Sequence, residues 1–172
     1  LPDIQVQGTT ANFGPMLRLD ITEGRYFSAA EDDAGQAVAV IGWDIKDELF
    51  PRQDPVGREI LLGGTRYQVI GLLAQQGRSL GQSPDGVAYI PIQAYRRQFG
   101  NRDSLDIVIR AQGGVPGVAA SVDEARALVR ALRHTPFRGL DPFGVVTPES
   151  MQARWRQFSA AAFVLSLLVA SV

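Results

Sequence analysis

The sequence has no cysteine and a single histidine in 172 residues. The first absence excludes disulfide frameworks, thiolate metal sites and thiol nucleophiles. The second leaves little for zinc sites or triad hydrolases, which rest on a well-placed imidazole. His134 follows Arg133 at the end of a helical pattern, where a cation suits the helix dipole, so it reads as a surface cap. Neither sign of charge is in excess, with 17 Lys and Arg against 18 Asp and Glu. Nucleic-acid affinity draws on concentrated positive charge, so no nucleic-acid partner is expected.

Motifs of nucleotide and hydrolytic chemistry are missing as well. There is no G-x-x-x-x-G-K-S/T phosphate loop, no G-x-G-x-x-G after a strand, no G-x-S-x-G and no H-E-x-x-H. Asp44, Asp47 and Glu48 share a helical pattern with Lys46 and read as its solvated face. Glu31, Asp32 and Asp33 lack the alternating ligand spacing of a calcium loop and read as a solvated turn. The expectation is therefore a non-enzyme with no catalytic, cofactor-binding or metal-binding residues and no cofactor. The opening LPDIQVQGTT has no basic segment followed by an apolar one, so it is not a signal peptide. Ile4 and Val6 alternate as in a strand, and the first residue reads as a cut edge.

What is present alternates between strand and helix patterns. A short helix is expected around 15–19, then a turn through Gly24. Ser28 and Glu31 have capping-box spacing, with Gly35 limiting that helix to one turn. QAVAVIG (36–42) is a nearly continuous apolar run and predicts a strand buried on both faces. WDIKDELF (43–50) places Ile45, Leu49 and Phe50 at helical spacing before Pro51. REILL and TRYQVIGLL flank Gly63-Gly64, the signature of a tight hairpin. AQQGRSLGQSPDG (74–86) predicts a long mobile loop. VAYIPI predicts a strand with Pro91 at its end, followed by a short helix stopped by Gly100.

The last third changes character. SLDIVIRA (104–111) alternates like a strand, and a Gly/Pro linker leads to a helix capped by Ser121 and Glu124. Val122, Ala125, Leu128, Val129 and Leu132 line one face of that helix. FGVVT predicts another strand, and Thr147-Pro148 starts an exit helix. This strand-helix-strand unit reads as half of a small α/β sandwich, separate from the hairpin-rich middle. From Gln157 onward there are sixteen residues without charge, apolar on all sides, with Trp155 between Arg154 and Arg156 just before them. That composition predicts a truncated transmembrane helix. Small residues at 159–162, 166, 170 and 171 suit close packing between membrane helices.

In this order the motifs resemble the periplasmic core domain of MacB-type ABC transporter permeases, within the FtsX-like group. Gly24-Arg25-Tyr26-Phe27 resembles the family's G-R-x-F turn, and Val40-Ile41-Gly42 with Leu49-Phe50 its V-I-G strand and L-F helix end. Asp54-Pro55-Val56-Gly57 resembles its D-P-I/V-G loop, Tyr67 with Val69-Ile70-Gly71 its second V-I-G strand, and Tyr89-Ile90-Pro91 its Y-I-P segment. Residues 104–172 match in pattern only.

The resemblance implies an α+β extracytoplasmic domain of two lobes in a polytopic permease. One membrane helix would precede the domain and three would follow it. Residues 11–100 would form the β-hairpin-rich lobe and 101–150 a βαβ, porter-like lobe. Residues 1–10 would be the end of that second lobe, left incomplete, and 151–172 the exit helix entering the membrane. It also implies the cell inner membrane, with this domain on the periplasmic side. The implied partners are a cytoplasmic ATP-binding subunit or domain and a homodimer mate or related permease. Some members work with a periplasmic adaptor, and others extract lipoproteins. The domain itself would couple ATP hydrolysis to periplasmic movement without catalysing a reaction. From a different class, the rival reading is a membrane-tethered ligand- or lipoprotein-binding module, which a deep apolar cleft would favour. An anchored hydrolase is hard to assemble from one His and no Cys.

Overall fold

In the computed structural model, the described residues are 4–77, 83–101, 104–136, 138–152 and 155. They divide into two compact units, 1–108 and 109–172. The first unit holds strands β1 (Gln5–Thr9), β2 (Ile21–Gly24), β3 (Val38–Ile41), β4 (Glu59–Leu62), β5 (Thr65–Leu73) and β6 (Val87–Pro91). Helices α1 (Phe13–Leu17), α2 (Ala29–Ala34), α3 (Trp43–Leu49) and α4 (Ile92–Phe99) are interleaved with them. The strands form one mixed sheet in the order β1-β6-β3-β5-β2, with β4 also paired to β5.

Every residue of β3 is buried, as its apolar run predicts for a strand in mid-sheet. Its alternate side chains serve opposite faces. Ala39 and Ile41 join Ile45, Ile60, Tyr67 and Ile90 in one core, while Val38 and Val40 join Phe27, Leu73 and Val87 in the other. The β4–β5 hairpin closes as expected, with Leu62 opposite Thr65. Gly63 (φ 53°) and Gly64 (φ 89°) take the left-handed angles that a two-residue turn requires. Pro91 ends β6 and leads directly into α4.

Two readings of this unit need correction. Residues 5–9, assigned by sequence to the second lobe, pair in parallel with β6, Gln5 opposite Val87 through Thr9 opposite Pro91. The turn expected through Gly24 is the end of a bulged strand, β2, antiparallel to β5. The helix expected over 43–50 forms as α3, with Ile45 buried and Leu49 exposed.

In the second unit a 3-10 turn, Val115–Gly117, runs into helix α5 (Val118–Leu132). Pro116 sits in that first turn, where its fixed φ and missing N–H suit a helix start. The helix therefore begins ahead of Ser121, and the Ser121–Glu124 capping box does not form. Residues 104–111 and 143–147, read as strands, pair with no other strand among the described residues. Apolar alternation alone makes no strand, because the backbone needs a ladder partner. Residues 148–152 are helical, and Thr147 and Ser150 cap this start reciprocally.

No helix among the described residues is long and apolar enough to cross a membrane. The segment expected to do so, 158–172, lies outside the described residues.

Candidate interaction surface

The motif residues come together as architecture. Gly24 lies opposite Gly71 in the β2–β5 pair, and Arg25 donates its backbone N–H to Ile70 O at 2.9 Å. Phe27 is buried, with Tyr26 stacked on it at 4.3 Å between ring centroids. The Tyr26 hydroxyl meets Thr9 Oγ1 at 2.6 Å, and burial pushes its pKa above the ordinary tyrosine range. Arg25 grips Glu31 through two hydrogen bonds of 2.7 Å, while Glu31 also completes the capping box with Ser28. In the Asp54–Gly57 loop, the Asp54 carboxylate accepts the Val56 N–H at 2.8 Å. Pro55 is fully buried, and Gly57 donates to Val69 O at 2.7 Å.

Two buried carboxylates do work that composition does not announce. Asp32 belongs to the acidic trio read as a solvated turn, yet it is only 8% exposed. Its oxygens accept the Ala11 N–H at 3.0 Å and the Ile92 N–H at 3.2 Å, joining the β1–α1 connection to the start of α4. Asp85, 3% exposed, accepts the N–H groups of Gln76 and Gly77 at 2.9 and 3.0 Å. It closes the base of the 74–86 loop, while its own carbonyl accepts the Asp44 N–H at 3.2 Å. Mobility was expected of the whole 74–86 loop, but its ends are hydrogen-bonded through Asp85, and residues 78–82 lie outside the described residues.

Both carboxylates are engaged by backbone N–H groups. Among the described residues no group of three His, Asp or Glu stands close enough to hold a metal ion. His134 caps the C-terminus of α5 with φ 50°, exposed, its N–H on Ala131 O at 3.1 Å. Open depressions lie by Arg25 and Gly57 and by Tyr67 and Arg97.

Both units leave apolar side chains uncovered; in the first these include Leu61 and Ile107, and in the second they lie on and around α5. α5 has no buried residue, and Leu128 and Leu132 are 59% and 79% exposed. Val115, Val145 and Val146 are also exposed. The polar side of α5 is committed instead to its own return segment, through Arg126, Arg130 and Arg133. Neither Asp32, Asp85 nor this arginine series was signalled by the sequence. Each depends on partners brought near by the fold.

The sequence model of the MacB-like periplasmic core domain matches residues 2–132. The chain belongs to that family. Among curated relatives, the pyoverdine export ATP-binding/permease protein PvdT of Pseudomonas aeruginosa is 38% identical over 108 residues. That alignment covers 62% of this chain and 16% of the relative. The macrolide export ATP-binding/permease protein MacB of Bdellovibrio bacteriovorus is 30% identical over 172 residues, covering 98% of this chain and 26% of the relative. The chain thus spans about a quarter or less of these proteins.

Solved structures share the fold. The extracellular domain of the ABC-type transporter YknZ from Gram-positive bacteria superposes with a TM-score of 0.65 at 22% identity, covering 77% of this chain and 66% of that one. The periplasmic region of MacB from Actinobacillus actinomycetemcomitans gives 0.59 at 13% identity, covering 78% and 59%. The mixed α/β sheet domain described above is therefore that of MacB-like extracytoplasmic domains.

Proposed function

We propose that this chain is the periplasmic domain of an ABC export permease, anchored in the inner membrane, which converts cytoplasmic ATP hydrolysis into periplasmic movement. The observation that carries the reading is the family match over residues 2–132, with relatives named ATP-binding/permease export proteins. The domain acts mechanically and is not itself catalytic. Its partners in this reading are an ATP-binding domain, fused or separate, a second copy or a related permease, and a periplasmic adaptor or lipoprotein. The uncharged, apolar composition of 158–172, which lies outside the described residues, supports the membrane part of this reading.

The second unit belongs to a porter-like lobe in this reading. The uncovered faces of α5 and of 104–111 support it, because a segment elsewhere in a longer protein would cover them and give 104–111 a strand to pair with. Cargo is a small secreted molecule of the kind named for the relatives.

The test is the longer protein in lipid vesicles, with pyoverdine and erythromycin as probes. ATP should drive export of at least one and change amide exchange within residues 4–152. Exchange identical with and without ATP would overturn the coupling role. Movement of the domain with neither probe exported would redirect the cargo to lipoprotein or peptide.

A further inference from the structure

Among the described residues of the return segment after α5, polar contacts rather than apolar burial hold the chain in place. Leu140, at its centre, is 95% exposed. What fixes the segment is a set of arginines spaced i, i+4 and i+7 along α5, which projects them from neighbouring turns. Arg126 Nε meets Asp141 Oδ2 at 3.1 Å, and Arg130 pairs with Asp141 Oδ1. Arg130 also donates to Pro136 O at 2.6 Å and to Gly139 O at 3.1 Å. Arg133 donates to Pro142 O at 3.0 Å. The Asp141 and Arg130 side chains are 25% and 23% exposed, so this network is partly withdrawn from solvent. Isolated exposed pairs contribute little, whereas a shared carboxylate with several backbone acceptors is a network with defined geometry.

From this arrangement we infer that Asp141 and the three arginines form a latch joining α5 to residues 148–152, so that the two move as one lever. The chain leaves Pro142, passes through 143–147 and enters the helical residues 148–152, whose start is capped by Thr147 and Ser150. The ties to α5 at Pro136, Gly139, Asp141 and Pro142 leave only 143–147 between the fixed segment and that capped start. Asp141 is a positioning residue in this device. The rigidity of the latch stands on the geometry alone, whereas its use in coupling rests on the transport reading above.

Amide hydrogen exchange on the full-length protein separates these two layers. Without nucleotide, Asp141→Asn should raise exchange across 138–142 about fivefold or more, and Asp141→Glu should restore most of the protection. With ATP, the parent should show linked changes in α5 and in 148–152. Asp141→Asn should keep the change in 148–152, lose that in α5 and retain ATP turnover. Equal exchange across 138–142 in parent and Asp141→Asn would overturn the latch. An α5 response that survives in Asp141→Asn would overturn the lever. If neither segment of the parent responds to ATP, the transport reading fails while the nucleotide-free comparison still decides the latch.

Discussion

Gly24 and Gly71 lie opposite each other where β2 crosses β5, each pressed against the other's strand. A Cβ on Gly24 would collide with Ile70 O, and one on Gly71 with Arg25 O. Gly24 also has φ 76°, where a side chain is strained whatever the space. The two glycines of separate sequence motifs are thus one contact. Gly24→Ala should destabilise the chain by roughly 2 kcal/mol or more, from backbone strain and overpacking together. Gly71→Ala should cost about 1–3 kcal/mol by overpacking alone. Urea unfolding midpoints measure both, and a midpoint unchanged in either variant would contradict this close approach.

Legibility followed the range of the interactions. β3, the β4–β5 hairpin and the α4 pattern were readable because their signals lie within a few residues: an apolar run, a Gly-Gly turn, a helix after Pro91. β1 was visible as an alternation, but its parallel partner is β6, some eighty residues on, and no local pattern names it. β2 has one apolar residue in Ile21–Gly24 and carries a bulge, so its period was hidden. Asp32 was read as solvated because burial depends on α4, sixty residues away. The motif series pointed to the family directly, yet its residues shape the scaffold. The arginine latch on α5 has no motif, since its acceptors are mostly backbone carbonyls of a loop.

The Arg25–Glu31 pair makes stability depend on pH at the acid end. Hydrogen bonds from the Arg25 guanidinium, helped by the Ser28 N–H and hydroxyl, lower the Glu31 carboxyl from 4.5 to about 2. A carboxyl depressed in the folded state contributes stability above its unfolded pKa and loses it as pH falls through the folded one. The window is therefore between 4.5 and about 2. Arg25 is 58% exposed, so solvent screening reduces the contribution to about 1 kcal/mol. Stability measured against pH should fall across that window in the parent and flatten in Glu31→Gln. Parallel curves for the two proteins would remove Glu31 as the source.

Asp85 should control the base of the 74–86 loop without controlling the sheet. Replacing it by alanine leaves the N–H groups of Gln76 and Gly77 without their carboxylate acceptor. The expected result is exchange at those two amides faster by about tenfold or more, with β3 and β5 amides unchanged. Loss of protection throughout β3 would instead show that Asp85 holds the core together.

Asp32 offers the sharpest contrast between charge and geometry, because asparagine keeps its size and burial. Each carboxylate oxygen accepts one backbone N–H, from Ala11 and from Ile92 at the first turn of α4. An amide has one acceptor oxygen and an NH2 group, so one of these N–H groups must then face a donor. The negative charge near the start of α4 is lost at the same time. Asp32→Asn should therefore destabilise the chain by about 1–3 kcal/mol, and Asp32→Ala should leave both donors unpaired and cost more. Denaturant unfolding ranks the three proteins. Asp32→Asn as stable as the parent would mean that water reaches these donors and that the buried bridge contributes nothing.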